Sequence, residues 1–76
     1  MSIFDKLDAV DALAANVAWQ EMVAEKRSQQ DSLVRAMVAE GTSPAERERM
    51  ATEYRMIEGF ISWPSEFRRS LEDMQE

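Results

Sequence analysis

The chain has 76 residues, of which 34 are apolar, but ten of these are Ala and one is Met1, leaving 23 able to fill a core: enough for one small domain. Fifteen Asp and Glu against nine Lys and Arg give a formal charge of -6, too acidic for a general nucleic-acid or membrane-surface binder. With no Cys and no His, the sequence has no disulfide, no thiolate metal site, no Cys nucleophile and no imidazole base.

Only two Gly and two Pro occur, and β-branched residues never alternate with polar ones over a strand's length, so helices are expected throughout. Ser2 and Asp5 form the S-x-x-D pattern of a capping box, which starts a first helix over about residues 3–15. Its apolar residues Ile3, Leu7, Val10, Ala14 and Val17 recur at spacings of four and three, with Phe4 and Leu13 widening the stripe. Continued along one straight helix, that stripe would meet Glu21, Ala24, Ser28, Asp31 and Arg35. The apolar residues lie instead at Trp19, Met22, Val23, Leu33, Val34, Met37 and Val38, displaced by roughly 200° at about 100° per residue. Either the chain bends near residues 15–18 with Asn16 capping a second helix, or one long helix offers opposite faces to different partners. The bend is the preferred reading.

The second helix then spans about residues 17–40, with Lys26 and Gln30 placing polar groups on its stripe between Val23 and Leu33. Asp31 and Arg35 make a favourable pair four apart, whereas Glu21 and Glu25 repel. Gly41 fits a helix C-terminus, and Ser43, Pro44 and Glu46 follow as N-cap, first helical residue and capping-box partner. A connection this short makes the flanking helices antiparallel neighbours.

The third helix, about residues 44–62, carries one stripe of Met50, Tyr54, Ile57 and Ile61 and a second of Met56, Phe60 and Trp63. One neighbour cannot cover both, so the second is left for helix one, the C-terminal segment or another subunit. Gly59 within it reflects either close packing or a tolerated glycine near a fraying end. Pro64 disfavours helical geometry at Trp63 and is expected to end or kink the helix. Beyond it Phe67, Leu71 and Met74 share a face, giving a short amphipathic helix over about residues 65–74.

Few residues suggest chemistry. Asp5, Asp8 and Asp11 recur every three residues, but a helix rotates them apart and no EF-hand loop is present, so a solvated face explains them better than a metal site. Glu21, Glu25, Glu53 and Glu58 lack the Glu-x-x-His partner of a di-iron bundle. The Ser and Thr hydroxyls have no imidazole to activate them, and there is no Gly-rich phosphate loop. No enzymatic activity, cofactor or metal is expected. Tyr54, Arg55, Phe60 and Trp63 could stack bases, but Glu46, Glu48, Glu53 and Glu58 outnumber Arg55 locally. What remains is recognition by helices, with Trp19, Tyr54, Met56, Phe60, Trp63 and Phe67 as candidate interface residues.

The stretch AWQEMV at 18–23, GTSPAERER at 41–49 and EYRMIEGFISWP at 53–64 together resemble small helical-hairpin proteins encoded among the head and packaging genes of tailed bacteriophages. The similarity covers about residues 16–64; Val17 stands where that layout has Pro or Gly, and its basic motif is reduced to Arg55. The resemblance implies a non-enzymatic component of the particle or its assembly, at the portal, connector or capsid, with residues 1–15 as an added arm. It carries over no binding residue.

The expected protein is an all-α single domain over residues 1–76: an antiparallel helical hairpin with an N-terminal helix and a short C-terminal amphipathic helix. Its expected partners are itself, as a homo-oligomer, and a larger viral structural protein, without nucleic acid or membrane. The alternative is a small acidic inhibitor or regulator of a host protein, in the manner of a nucleic-acid mimic. The opening MSIFDKL has no basic segment leading into an apolar one, and no apolar run approaches the roughly 20 residues that span a bilayer. The expected location is therefore the host cytoplasm during assembly, or the particle.

Overall fold

The computed structural model describes residues 2–74, so the two ends of the 1–76 domain lie outside the described residues. The chain is all-α, with three helices, α1 (Ile3–Ala15), α2 (Val17–Val38) and α3 (Pro44–Asp73), and no strand among the described residues. Local chemistry sets each boundary. Ser2 Oγ accepts from the Asp5 amide at 3.1 Å and the Asp5 carboxylate accepts from the Ser2 amide at 3.3 Å, closing the capping box of α1. Asn16 breaks the chain in an extended conformation: its amide donates to the Leu13 carbonyl, and its side chain accepts from the Trp19 amide at 3.0 Å. The Gln20 side chain clasps the break from below, donating to the Ala14 carbonyl at 3.2 Å. The bend, not one straight helix, is what the chain adopts.

Helix α2 ends two residues sooner than the sequence pattern suggests, because Ala39 is extended and Gly41 takes φ +85°, a left-handed conformation that favours glycine. The Thr42 hydroxyl donates to the Ala36 carbonyl at 2.8 Å, and Ser43 Oγ accepts from the Glu46 amide at 3.2 Å to open α3 behind Pro44.

Helix α3 corrects the expectation at Pro64. It runs unbroken for 30 residues with Pro64 inside it, so residues 65–73 are its continuation, capped by Met74, and not a separate short helix. An interior proline withdraws one hydrogen bond and crowds the preceding turn, at a cost of about 3 kcal/mol. Packing outweighs it here. Met50, Tyr54, Ile57, Ile61, Pro64, Arg68 and Leu71 keep alternating spacings of four and three straight through the proline, and all seven are buried or half-buried. Pro64 itself is buried, Leu71 is only 2% exposed, and Arg68 reaches Asp11 of α1 at 3.3 Å. Gly59 meets no neighbour within 4 Å of where a Cβ would stand, so close packing inside the chain does not explain it.

Both other helices lie against this one seam. Asp11 pairs with Arg68, Trp19 packs on Trp63 and Phe60, Arg27 binds Glu58, and Gln30 reaches the Tyr54 carbonyl, so partners on α3 descend as the chain advances through α1 and α2. On α1, Val10 is buried and Ile3, Leu7 and Leu13 are half-buried; Ala14 and Val17 fall off the stripe as the chain turns at Asn16, and Phe4 is exposed. The result is a slab 52 × 27 × 14 Å, about one helix thick, with a radius of gyration of 16.5 Å. A packed domain of this length has about 11 Å.

Leu71→Ala is expected to cost about 2–4 kcal/mol of unfolding free energy, measured by urea titration followed by circular dichroism. A change below about 0.5 kcal/mol would instead detach the residues beyond Pro64 from the cooperative fold.

Candidate functional site

Helix α3 bears two parallel stripes, and its exposed one forms the candidate site. Met56, Phe60, Trp63 and Phe67 each precede a seam residue by one position, which turns them about 100° away from α1 and α2. Trp19, held at the first turn of α2 by the Asn16 cap, leans into the same row. Its ring lies 5.4 Å from Phe60 and 6.4 Å from Trp63, nearly edge-on to the latter, and Trp63 lies 6.1 Å from Phe67. Four aromatic rings thus run in unbroken contact across the slab in tilted and edge-to-face geometries that suit their quadrupoles. Their outer faces remain in water: Trp63 and Phe67 are each 41% exposed, and Met56 at the end of the row is 71% exposed.

An open groove flanks each end of the row. One, of about 340 Å³, is lined by Lys6, Ala9, Val10, Leu13, Trp63 and Phe67; the other, of about 490 Å³, lies among Met22, Lys26, Gln29, Met56, Ile57 and Phe60, with Glu53 at its edge. Such volumes would hold a small molecule, but a small-molecule site encloses its ligand and orients it with converging polar groups. Both grooves are open; the first is apolar apart from Lys6, and the second mixes Lys26, Gln29 and Glu53 with apolar side chains.

Five of the six sequence-derived residues, Trp19, Met56, Phe60, Trp63 and Phe67, therefore lie together on one face. Tyr54 does not join them. It sits half-buried on the seam, where its carbonyl accepts from Gln30 Nε2 at 3.4 Å. Sequence reasoning missed the groove-lining Lys6 and Gln29 and put Met22 on the apolar stripe of α2 without counting it among the interface residues; Met22 precedes half-buried Val23 by one position, as Met56 precedes Ile57, and that shared offset is the signal that could have placed it there.

It also missed a polar cluster behind the face. Gln30 is only 3% exposed, yet its amide is fully used: Nε2 donates to Glu58 Oε2 at 2.9 Å and to the Tyr54 carbonyl, while Oε1 accepts from Arg27 Nη1 at 3.0 Å. Arg27 Nη1 also donates to Glu58 at 2.7 Å, in an ion pair about half open to solvent. The hydrogen bond from Gln30 and then that from Arg27 hold the Glu58 carboxyl below its ordinary value; burial opposes them, and the charge of Arg27 adds the smallest contribution. This cluster braces the seam. Among the described residues no three Asp or Glu side chains converge as a metal site requires, and no helix is long and apolar enough to cross a membrane.

The fold and face define an all-α, single-layer helical chain with an aromatic surface. No family model matches the sequence, and neither curated proteins nor solved structures give a match.

Because the folded pKa of Glu58 is lowered, its contribution to stability is complete above the ordinary glutamate value and is lost as pH falls through the lowered one. Urea midpoints measured from neutral to acid pH should fall along this limb in the native chain and fall less steeply in Glu58→Gln. Identical acid limbs in the two proteins would sink the assignment.

Proposed function

We propose that this chain is a non-enzymatic structural or assembly protein that works through helix-mediated protein–protein contacts, as a component of a tailed-phage particle or of its head assembly, at the portal, connector or capsid. In this reading α2 and α3 form an antiparallel helical hairpin with α1 as an N-terminal helix laid further along α3, a reading supported by the descending order of partners on α3. The observation that carries the functional reading is the row Trp19, Phe60, Trp63 and Phe67, in mutual contact yet open to water along its length. Contiguous aromatic surface of this kind on a thin molecule marks a place where another protein sits. The phage assignment rests on the sequence resemblance over residues 16–64, and it puts the protein in the host cytoplasm during assembly or in the particle.

The test is the copy number of the chain in purified particles and in head-assembly intermediates of the phage that encodes it, by quantitative mass spectrometry. A fixed ratio to the major capsid or portal protein is the expected result. Absence from both, with the chain recovered instead on a host enzyme in a complex that added salt dissolves, would replace this reading with that of an acidic inhibitor.

A further inference from the structure

We infer that the aromatic face is closed by a second copy of this chain, related by a two-fold axis that crosses α3 between Phe60 and Trp63. The inference deepens the assembly reading above and rests on its premise that the protein acts by protein contact. Three observations point to this occupant.

The first is area. The chain exposes 5676 Å² at a mass of 8.7 kDa, whereas a folded monomer of that mass exposes about 4,700 Å². The excess of about 950 Å² is of the order of the roughly 800 Å² that each partner removes from water in a standard protein interface. One copy of the same slab, laid face to face, supplies the missing second layer.

The second is periodicity. Met56, Phe60, Trp63, Phe67 and Met74 follow spacings of four, three, four and seven, and Ser70 fills the one gap in the pattern. This is the 3.5-residue repeat by which helices pack on one another, repeated on the exposed stripe as on the buried one. Turned about the two-fold axis, Phe60 meets the partner's Trp63 and Met56 meets the partner's Phe67, so the stripe is complementary to itself.

The third is charge. The chain carries -6, yet the charged residues lining the two grooves are Lys6, Lys26 and Glu53. The acid excess is therefore not concentrated in the grooves themselves. Turned about the axis, the Lys6 groove lies over the partner's Lys26 and the partner's Glu53, whose carboxylate offsets part of the repulsion between lysines; what repulsion remains there and between the net charges is screened by salt. A basic partner drawn to this acidic chain would show the opposite salt dependence.

The decisive experiment is the solution mass by light scattering on a sizing column, at low and high salt, with helicity checked by circular dichroism. The full chain should run at twice 8.7 kDa, with the paired fraction rising in high salt. Phe60→Ser with Trp63→Ser should return it to single-chain mass. Met56→Glu keeps the test sound if those changes cost too much stability: at 71% exposure it leaves the single chain intact and should weaken pairing about tenfold or more. Val38→Ser, on the far side of α2, should change nothing.

A wild type at single-chain mass under both conditions overturns the proposal, as does pairing that Met56→Glu leaves untouched or that high salt weakens. A single-chain protein found at fixed copy number in particles would refute the self-pairing and leave the assembly role standing. A salt-strengthened pair that never enters particles would do the reverse.

Discussion

One strip of side chains organises this molecule. The seam of α3 from Met50 to Leu71 receives both α1 and α2, and each buried apolar side chain lies on it or against it. That shared use explains the break at Asn16. An unbroken helix through residues 3–38 would carry the Ile3, Leu7, Val10 stripe to the side opposite Trp19, Val23 and Leu33, so only one of the two could touch α3. By extending a single residue and capping the next helix with its own side chain, Asn16 re-aims α1 onto the continuation of the seam that α2 uses. The same demand holds α3 together across Pro64, since α1 has nowhere to pack unless the seam persists to Leu71.

The polar layer at Gln30 sets where along the seam the helices lock. Apolar residues at spacings of four and three tolerate a slide of seven residues, because one layer resembles the next. Gln30 does not. Such a slide would set it against Ile61 and Ser65 in one direction or Arg47 and Ala51 in the other, stripping its buried amide of the Glu58 carboxylate. An unsatisfied buried amide costs about 1–3 kcal/mol, a large share of what a chain this small can hold in reserve. Arg27 and Glu58 add little as a half-exposed ion pair, and their greater role is to saturate Gln30 on both sides of its amide.

Much of this architecture is legible in the residues. Ser2 with Asp5, Asn16, Gly41 and Ser43 with Pro44 each announce a helix boundary through one short-range hydrogen bond or one backbone preference, and the structure uses every one of them. Pro64 misleads for a reason of the same kind: its local preference is for a break, and the opposing force comes from Val10 and Asp11, more than 50 residues earlier in the chain. The phase of the pattern held the answer, because Ile57, Ile61, Pro64, Arg68 and Leu71 keep one register that a new helix would have had no cause to keep. Of the site, the stripe could be read but its company could not. Tyr54 looks like its aromatic neighbours in sequence and belongs to the other face, while Lys6, Met22 and Gln29 join the surface only once three helices are set side by side.

The thinness of the slab gives the exposed stripe its meaning. A helix hydrophobic on two faces about 100° apart needs neighbours on two sides, and a chain of 76 residues laid out one helix thick can supply neighbours on only one. Had α1 folded back over α2 and α3 as a second layer, Phe60, Trp63 and Phe67 could have been interior and the radius of gyration smaller. The Asn16 break sends α1 along α3 instead, spending its apolar residues on lengthening the seam. What this arrangement gains is reach: a 30-residue helix with one face committed to its own chain and a second, aromatic face left at the surface. Rings ordered by contact with one another lose little further freedom on being covered, so an interface formed there would carry a small ordering cost.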